Sequence, residues 1–238
     1  MQALQRGQEA RVAAQELAHP WTSAYAVLFL ATCLFYHCHQ DSSKVLEGAE
    51  ALMALAHEQG LAALRILGTC WRGWALVRAG HSEEGVAQLR EGMAAWAALG
   101  GGLWRPTLLA LLAEVYGRTG QVEKGLGILA EALTLVDTTG EHWYEAELHR
   151  LKGALWLSQS ADKSAEAEAC FQHALTIAQS QGAKAWELRT ATSLARLWQR
   201  QGKRQEAHDL LAPVYHWFTE GFETPDLQEA KALLDELL

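Results

Sequence analysis

Glycines recur along this sequence at a fixed interval, and that interval constrains the fold more than any other feature. Gly60, Gly100, Gly140 and Gly182 are spaced 40, 40 and 42 residues apart. A second series, Gly80, Gly120, Ser160 and Gly202, lies about midway and repeats the spacing. Between the markers the segments carry apolar residues at helical periodicity and almost no proline. The pattern predicts helices of about 18 residues, each stopped by a glycine in the left-handed conformation at its C-terminus.

Further columns align on the same period. On the first helix of each pair a small residue recurs at Cys33, Gly73, Ala113, Gly153 and Ala195, followed three residues later by Tyr36, Leu76, Tyr116, Trp156 and Trp198. On the second helix the stripe is Gly85-Leu89-Gly92, then Gly125-Leu129-Ala132, Ala167-Phe171-Ala174 and Ala207-Leu211-Val214. These are i, i+4, i+7 positions on one helix face. Small residues facing large ones let two helices interlock, and stacked pairs then share one continuous core. The two extra residues of the fourth unit fall between Ser160 and Ala167, in a turn, where insertions are cheap.

The expected domain is therefore one array over 1–238. A partial repeat at 1–19 precedes helix pairs at 20–60, 61–100, 101–140, 141–182 and 183–222, and a capping helix at 224–238 closes it. Met1 is expected to start inside a repeat. Thr224-Pro225-Asp226 reads as the start of the cap, with proline in the first turn. Trp21 to Tyr36 carries no charge over 16 residues. A membrane span needs about 20, so the stretch is expected to be a buried helix. Lacking a preceding neighbour, this apolar first repeat also makes self-association an expectation.

Composition narrows the function classes. The net charge of −8 argues against nucleic acid as a partner. The four cysteines form no CxxC pair, and the polar N-terminus is no signal peptide, so free thiols in the cytoplasm are expected.

The small-xx-large first helix, the glycine turn and the Ala-xxx-Leu/Phe-xx-Ala second helix resemble the tetratricopeptide repeat (TPR), with a period longer than the usual ~34 residues. Three strings sharpen the resemblance: Gly140-Glu141-His142-Trp143-Tyr144-Glu145-Ala146-Glu147-Leu148 with Arg150-Leu151-Lys152-Gly153, Ala191-Thr192-Ser193-Leu194-Ala195-Arg196-Leu197-Trp198, and Phe218-Thr219-Glu220-Gly221-Phe222 running into Asp226-Leu227-Gln228-Glu229-Ala230-Lys231-Ala232-Leu233-Leu234. They look like the C-terminal region of large bacterial signalling proteins that join a class III adenylate/guanylate cyclase-type domain, a P-loop ATPase module and a TPR tail. The resemblance implies an all-α fold, a right-handed α-solenoid of TPR-like helix pairs. It also implies a non-catalytic interaction or sensor tail. A freestanding scaffold that assembles partner proteins is the alternative, and a metal-dependent enzyme built on the His142 face a third reading.

No G-x-x-x-x-G-K-[ST] string is present, so the ATPase site does not carry over. Gly125-Leu126-Gly127-Ile128-Leu129-Ala130 matches G-x-G-x-x-A, but it begins a second helix instead of following a strand, and packing explains it better. No cofactor is expected. His142, Glu145 and His149 share a helix face and are metal-ligand types. The two histidines stand two turns apart, ~10 Å, so a structural or surface role is preferred. In Cys33-Leu34-Phe35-Tyr36-His37-Cys38-His39-Gln40, His37 and His39 point about 200° apart on a helix, so one ion cannot take both. No enzyme is expected.

In TPR arrays the first helices line a concave face. Transferred column by column, that face contains His37, Cys38, Cys70, Trp74, Arg78, Glu114, Arg118, Glu147, Arg150, Arg189, Arg196 and Arg200. Six of the twelve are arginine, suited to bidentate recognition of carboxylate or phosphate. The expected partner is an acidic protein or peptide segment, or another domain of the parent protein. For Arg78, Arg118 and Arg200 an equal alternative is that each complements the carbonyl end of its helix.

Overall fold

Helix formation follows the segmentation that the glycines impose. The computed structural model describes residues 2–30 and 41–238, which form 12 α-helices and no strand. They are α1 (Gln2–Glu16), α2 (Pro20–Leu28), α3 (Ser42–Glu58), α4 (Ala62–Arg78), α5 (Ser82–Ala98), α6 (Arg105–Arg118), α7 (Val122–Thr139), α8 (Glu145–Gln159), α9 (Ser164–Ser180), α10 (Lys184–Arg200), α11 (Arg204–His216) and α12 (Pro225–Leu237). His37, Cys38 and the rest of the Cys33–Gln40 segment lie outside the described residues.

The stops work as glycine should. Gly80 and Gly120 take φ of 95° and 74°, and Gly182 and Gly202 are likewise left-handed. At each, the next amide closes on the carbonyl five residues back. His81 N–H bonds the Leu76 carbonyl at 2.9 Å, and Gln121 N–H bonds that of Tyr116 at 2.8 Å. Ala183 on Ala178 and Lys203 on Trp198 repeat the motif, which satisfies carbonyls that the helix end leaves open. Ser160, with no glycine's freedom, is extended at φ −162° and accepts from the amide of Asp162. A 3₁₀ turn at Ala161–Lys163 takes up the two extra residues there.

Contacts divide the chain into two compact units, Met1–Trp104 and Arg105–Leu238. In the first, α2, α3, α4 and α5 pack consecutively and α2 also meets α4. In the second, each helix from α6 to α12 packs on the next, and α6, α8, α10 and α12 also touch in series. The second unit is therefore two layered, with α7, α9 and α11 behind the first-helix layer. The last described helix, α12, occupies the place of a first helix. It buries Leu227, Ala230, Leu233, Leu234 and Leu237 while Glu229, Lys231, Asp235 and Glu236 stay exposed.

Every position of the second-helix stripe is buried, from Gly85-Leu89-Gly92 through Ala207-Leu211-Val214, and Val45-Ala49-Leu52 on α3 continues it. Gly73 and Gly85 bring α4 and α5 into backbone contact: a Cβ at Gly85 would stand 2.5 Å from the Gly73 carbonyl oxygen. On the first helices Gly73, Ala113, Gly153 and Ala195 are buried, as are Leu76 and Tyr116. Trp156 and Trp198 are half-buried, and the Trp198 indole donates to Glu168 Oε1 at 2.9 Å. The Gly125–Ala130 string lies inside α7, Gly125 against Ala113 on α6 and Gly127 facing open space.

The expectation of a buried helix from Trp21 needs correction over its described part. Ala24 and Leu28 are buried, but Trp21 and Phe29 are each 45 % exposed. The neighbours α1, α3 and α4 cover one face of α2, whereas Trp21, Tyr25 and Phe29 form a ring ladder at centroid spacings of 5.7 and 5.6 Å. Lack of charge does not make a helix buried all round. No helix among the described residues is long and apolar enough to cross a membrane.

The glycine contacts set opposite expectations for two substitutions. Gly85→Ala forces backbone apart and should cost about 1–3 kcal/mol. Gly127→Ala meets nothing within 4 Å and should stabilise by about 0.5–1 kcal/mol through helix propensity. Urea unfolding of the two variants checks the signs.

Candidate functional site

The first-helix layer of the second unit carries most of the arginines singled out by the repeat columns, and it treats them unequally. Arg150 on α8 donates through Nε and Nη2 to the two carboxylate oxygens of Glu147, each at 2.7 Å. Arg189 on α10 donates through Nε to Asp226 Oδ2 of α12 at 2.7 Å, and its Nη1 stands 3.8 Å from Glu147 Oε1. Three neighbouring helices of the first-helix layer are thus tied by one charge network whose centre is dry: the side chains of Glu147 and Arg189 are 2 % and 8 % exposed. Burial opposes the Arg189 charge, but Asp226 and Glu147 outweigh it and raise its pKa above the usual arginine range.

Several expected groove residues are consequently core. Cys70 and Trp74 are 0 % and 2 % exposed, and with Glu147 and Arg189 they offer no contact surface. The column transfer failed for them because these side chains point to the interior of the helix pairs or into the ion network. Burial pushes the Cys70 thiol up to about 12, and it also raises that of half-buried Cys170, so neither is poised as a nucleophile. Arg78, Arg118 and Arg200 all occupy the last turn of their helices, where a cation meets the carbonyl end. Arg78 also lies over the Trp74 ring at 5.6 Å. Glu114 is half-buried and Arg118 exposed.

Arg196 and Arg200 stand one turn apart on α10 and share a cavity of about 330 Å³ between α8, α10 and α12. Leu157, Phe171 and Leu197 supply apolar wall, Ser158 and Ser193 hydroxyls, and Glu229 a facing carboxylate. Arg196 Nη2 bonds Glu229 Oε1 at 2.8 Å, with both side chains partly exposed (38 % and 52 %). Arg200 is exposed and makes no ion pair among the described residues. The cavity thus presents one open guanidinium and one held by an exchangeable surface pair. Asp226 and Glu229 carried no sequence signal as partners, since only the docking of α12 on α10 brings them near.

A second cluster sits at the start of α8. His142, in a 3₁₀ turn at His142–Tyr144, donates through Nδ1 to Glu145 Oε2 at 2.9 Å. It does not converge with His149. Instead His149 meets His173 of α9, ring centroids 4.4 Å apart and nearly perpendicular at 87°. One ligand atom each from Glu145, His149 and His173 lies within 4.8 Å of the others, so these three could hold a metal ion. Burial, then the neighbouring His173, lowers the His149 pKa to about 4, and Glu145 only partly opposes this. The ring is neutral at pH 7. His173 was missed because spacing on one helix cannot reveal it. The antiparallel register could: Gly153 packs on Ala167 and Phe171, so one turn back on α8 faces one turn on along α9.

The buried network predicts a stability difference within the arginine set. Arg189→Ala leaves Asp226 without its buried partner and should cost about 3–5 kcal/mol. Arg200→Ala should stay within about 0.5 kcal/mol. Denaturant midpoints of the two variants check this, and equal effects would show that Arg189 is no structural centre.

No family model matches the chain. It is 27% identical over 181 residues to an uncharacterized protein of Rhizobium meliloti (strain 1021). That match takes in 76% of this chain but only 17% of the relative's length. Among solved structures, a Rap protein complexed with competence and sporulation factor gives a TM-score of 0.67 at 14% identity, over 92% of this chain and 58% of that one. A Signal Transduction ATPase with Numerous Domains (STAND) protein with a TPR sensor, from Pyrococcus horikoshii, gives 0.60 at 11% identity, over 92% and 33%. Kinesin light chain TPR-like repeats from Podosopora anserina give 0.54 at 18% identity, over 92% and 97%. At these identities the likeness is one of fold: an all-α solenoid of TPR-like helix pairs.

Proposed function

We propose that this chain is a non-catalytic interaction or sensor domain, the TPR-like tail of a multidomain bacterial signalling protein working in the cytoplasm. Its cavity between α8, α10 and α12 receives an acidic peptide segment. The observation that carries the reading is the pairing of Arg196 and Arg200 over apolar wall on the first-helix layer. Two guanidiniums one turn apart can each grip a carboxylate through parallel N–H bonds, while the partly exposed Ala154 and Leu157 accept an apolar side chain beside it. The segment's carboxylate takes Arg200 directly and competes with Glu229 for Arg196.

Three comparisons support this reading. The Rap protein of the same fold was solved in complex with competence and sporulation factor. The STAND protein carries its repeats as a sensor. The Rhizobium meliloti relative is far longer than this chain. Self-association through the exposed Trp21 and Phe29 rings belongs to the same proposal. Trp21→Ser with Phe29→Ser should then abolish a concentration-dependent rise in mass by light scattering.

A peptide array spanning acidic, neutral and basic sequences tests the cavity. Acidic peptides should be selected, and raising the salt should weaken them. Arg196→Ala with Arg200→Ala should weaken them by at least about tenfold, one lost charge-assisted contact being worth ~1.5–3 kcal/mol, with the helical circular dichroism unchanged. Selection of neutral peptides, indifferent to salt and to both substitutions, would remove the acidic-partner reading.

A further inference from the structure

The cluster at the start of α8 is separate from the arginine cavity and has the composition of a ligand set. Glu145 and His149 are four residues apart, hence neighbours on one helix face. His173 reaches them from α9, which is antiparallel to α8 and packed against it. The three donor atoms already lie within 4.8 Å of one another. Around a tetrahedral zinc ion with bonds of ~2.0–2.1 Å, donors stand ~3.3 Å apart, so shifts of about 1 Å complete the set. Side-chain rotation supplies them, because His173 is exposed and Glu145 and His149 are only partly buried.

We propose that Glu145, His149 and His173 form a binding site for one divalent transition-metal ion, zinc being the best fit to its donors. The two borderline imidazoles, joined by one hard carboxylate, favour zinc, cobalt or nickel over magnesium or calcium. With three protein ligands the fourth position stays open to water on the His173 side. His142 completes the arrangement from behind: its N–H bond to Glu145 Oε2 orients the carboxylate and leaves Oε1 for the ion, as outer-shell partners of metal ligands do. The charges around His149 are mixed, Lys152 opposing an ion and Asp137 and Glu145 favouring it. The bound ion joins the two helices of one pair. It therefore binds the folded chain in preference to the unfolded one and raises its melting temperature.

The test uses the full chain, free of any histidine tag, titrated with zinc chloride by calorimetry and with cobalt chloride by visible absorption. The wild type should take one ion per chain with micromolar or tighter affinity, show the intense d–d bands of four-coordinate cobalt, and melt several degrees higher with zinc. His173→Ala is an exposed change that keeps the fold, as circular dichroism would verify. It should lose at least tenfold in affinity together with the cobalt bands and the melting shift. Glu145→Gln should do the same, and His142→Ala should lose less. Two results would overturn the site: no binding by the wild type at millimolar zinc, cobalt or nickel, or unchanged affinity in His173→Ala, which would assign the ion to other histidines.

Discussion

The near-contact of backbones between paired helices governs the rest of this structure. At Gly73 and Gly85 neither helix carries a side chain into the interface, and a single added Cβ would collide with carbonyl oxygen and amide. Gly153 repeats the device in α8 against Phe171, where the ring fills the space a Cβ would take. Such close approach leaves room for a large residue only one turn further along, hence the small-to-large alternation on the first helices. It also fixes the axial register of each pair, because sliding by a turn would drive Leu89 or Phe171 into the neighbouring backbone. Every element that carries a candidate site inherits its position from that register.

In the second unit the layering puts α8, α10 and α12 side by side, and the charged residues they share are used mainly for internal order. Arg189 is central to this. Its guanidinium reaches α12 through Asp226 and α8 through Glu147, while Arg150 holds both carboxylate oxygens of Glu147. A buried ion network contributes little net stability compared with apolar packing, but losing one member leaves a stranded charge at a cost of several kcal/mol. The network therefore ties the seating of α12 on α10 to the pairing of Arg189. Nearer the C-terminal end of α10, Arg196 reaches α12 through a partly exposed pair with Glu229, and it lines a cavity with Arg200.

The helices and their core faces were legible because their determinants are local. A glycine that must adopt positive φ, an i, i+4, i+7 stripe and a small-xx-large step can all be read within about 20 residues. The candidate sites were legible only in part. The columns identified the layer that holds Arg196 and Arg200, yet could not separate them from Arg189, which sits two turns before Arg196 on the same helix and is buried. Burial there depends on Asp226, 37 residues on. Cys70 and Trp74 were misread as groove for the same reason: which side of a first helix meets its own partner and which meets the open face is settled by how pairs stack. On the His142 face, Glu145 and His149 were visible as neighbours, but His142 turned toward Glu145 and the second imidazole came from His173.

The sequence by itself determined the repeat, the helix stops, the buried stripes and the amphipathic last helix, since each follows from backbone freedom or helical periodicity within one segment. Tertiary structure alone decided which charges neutralise each other and which face an opening. It also decided which histidine completes a ligand set with Glu145 and His149. Those outcomes depend on distances of a few ångströms between residues of different helices, and Coulomb, hydrogen-bond and coordination forces act over that range whatever the spacing along the chain.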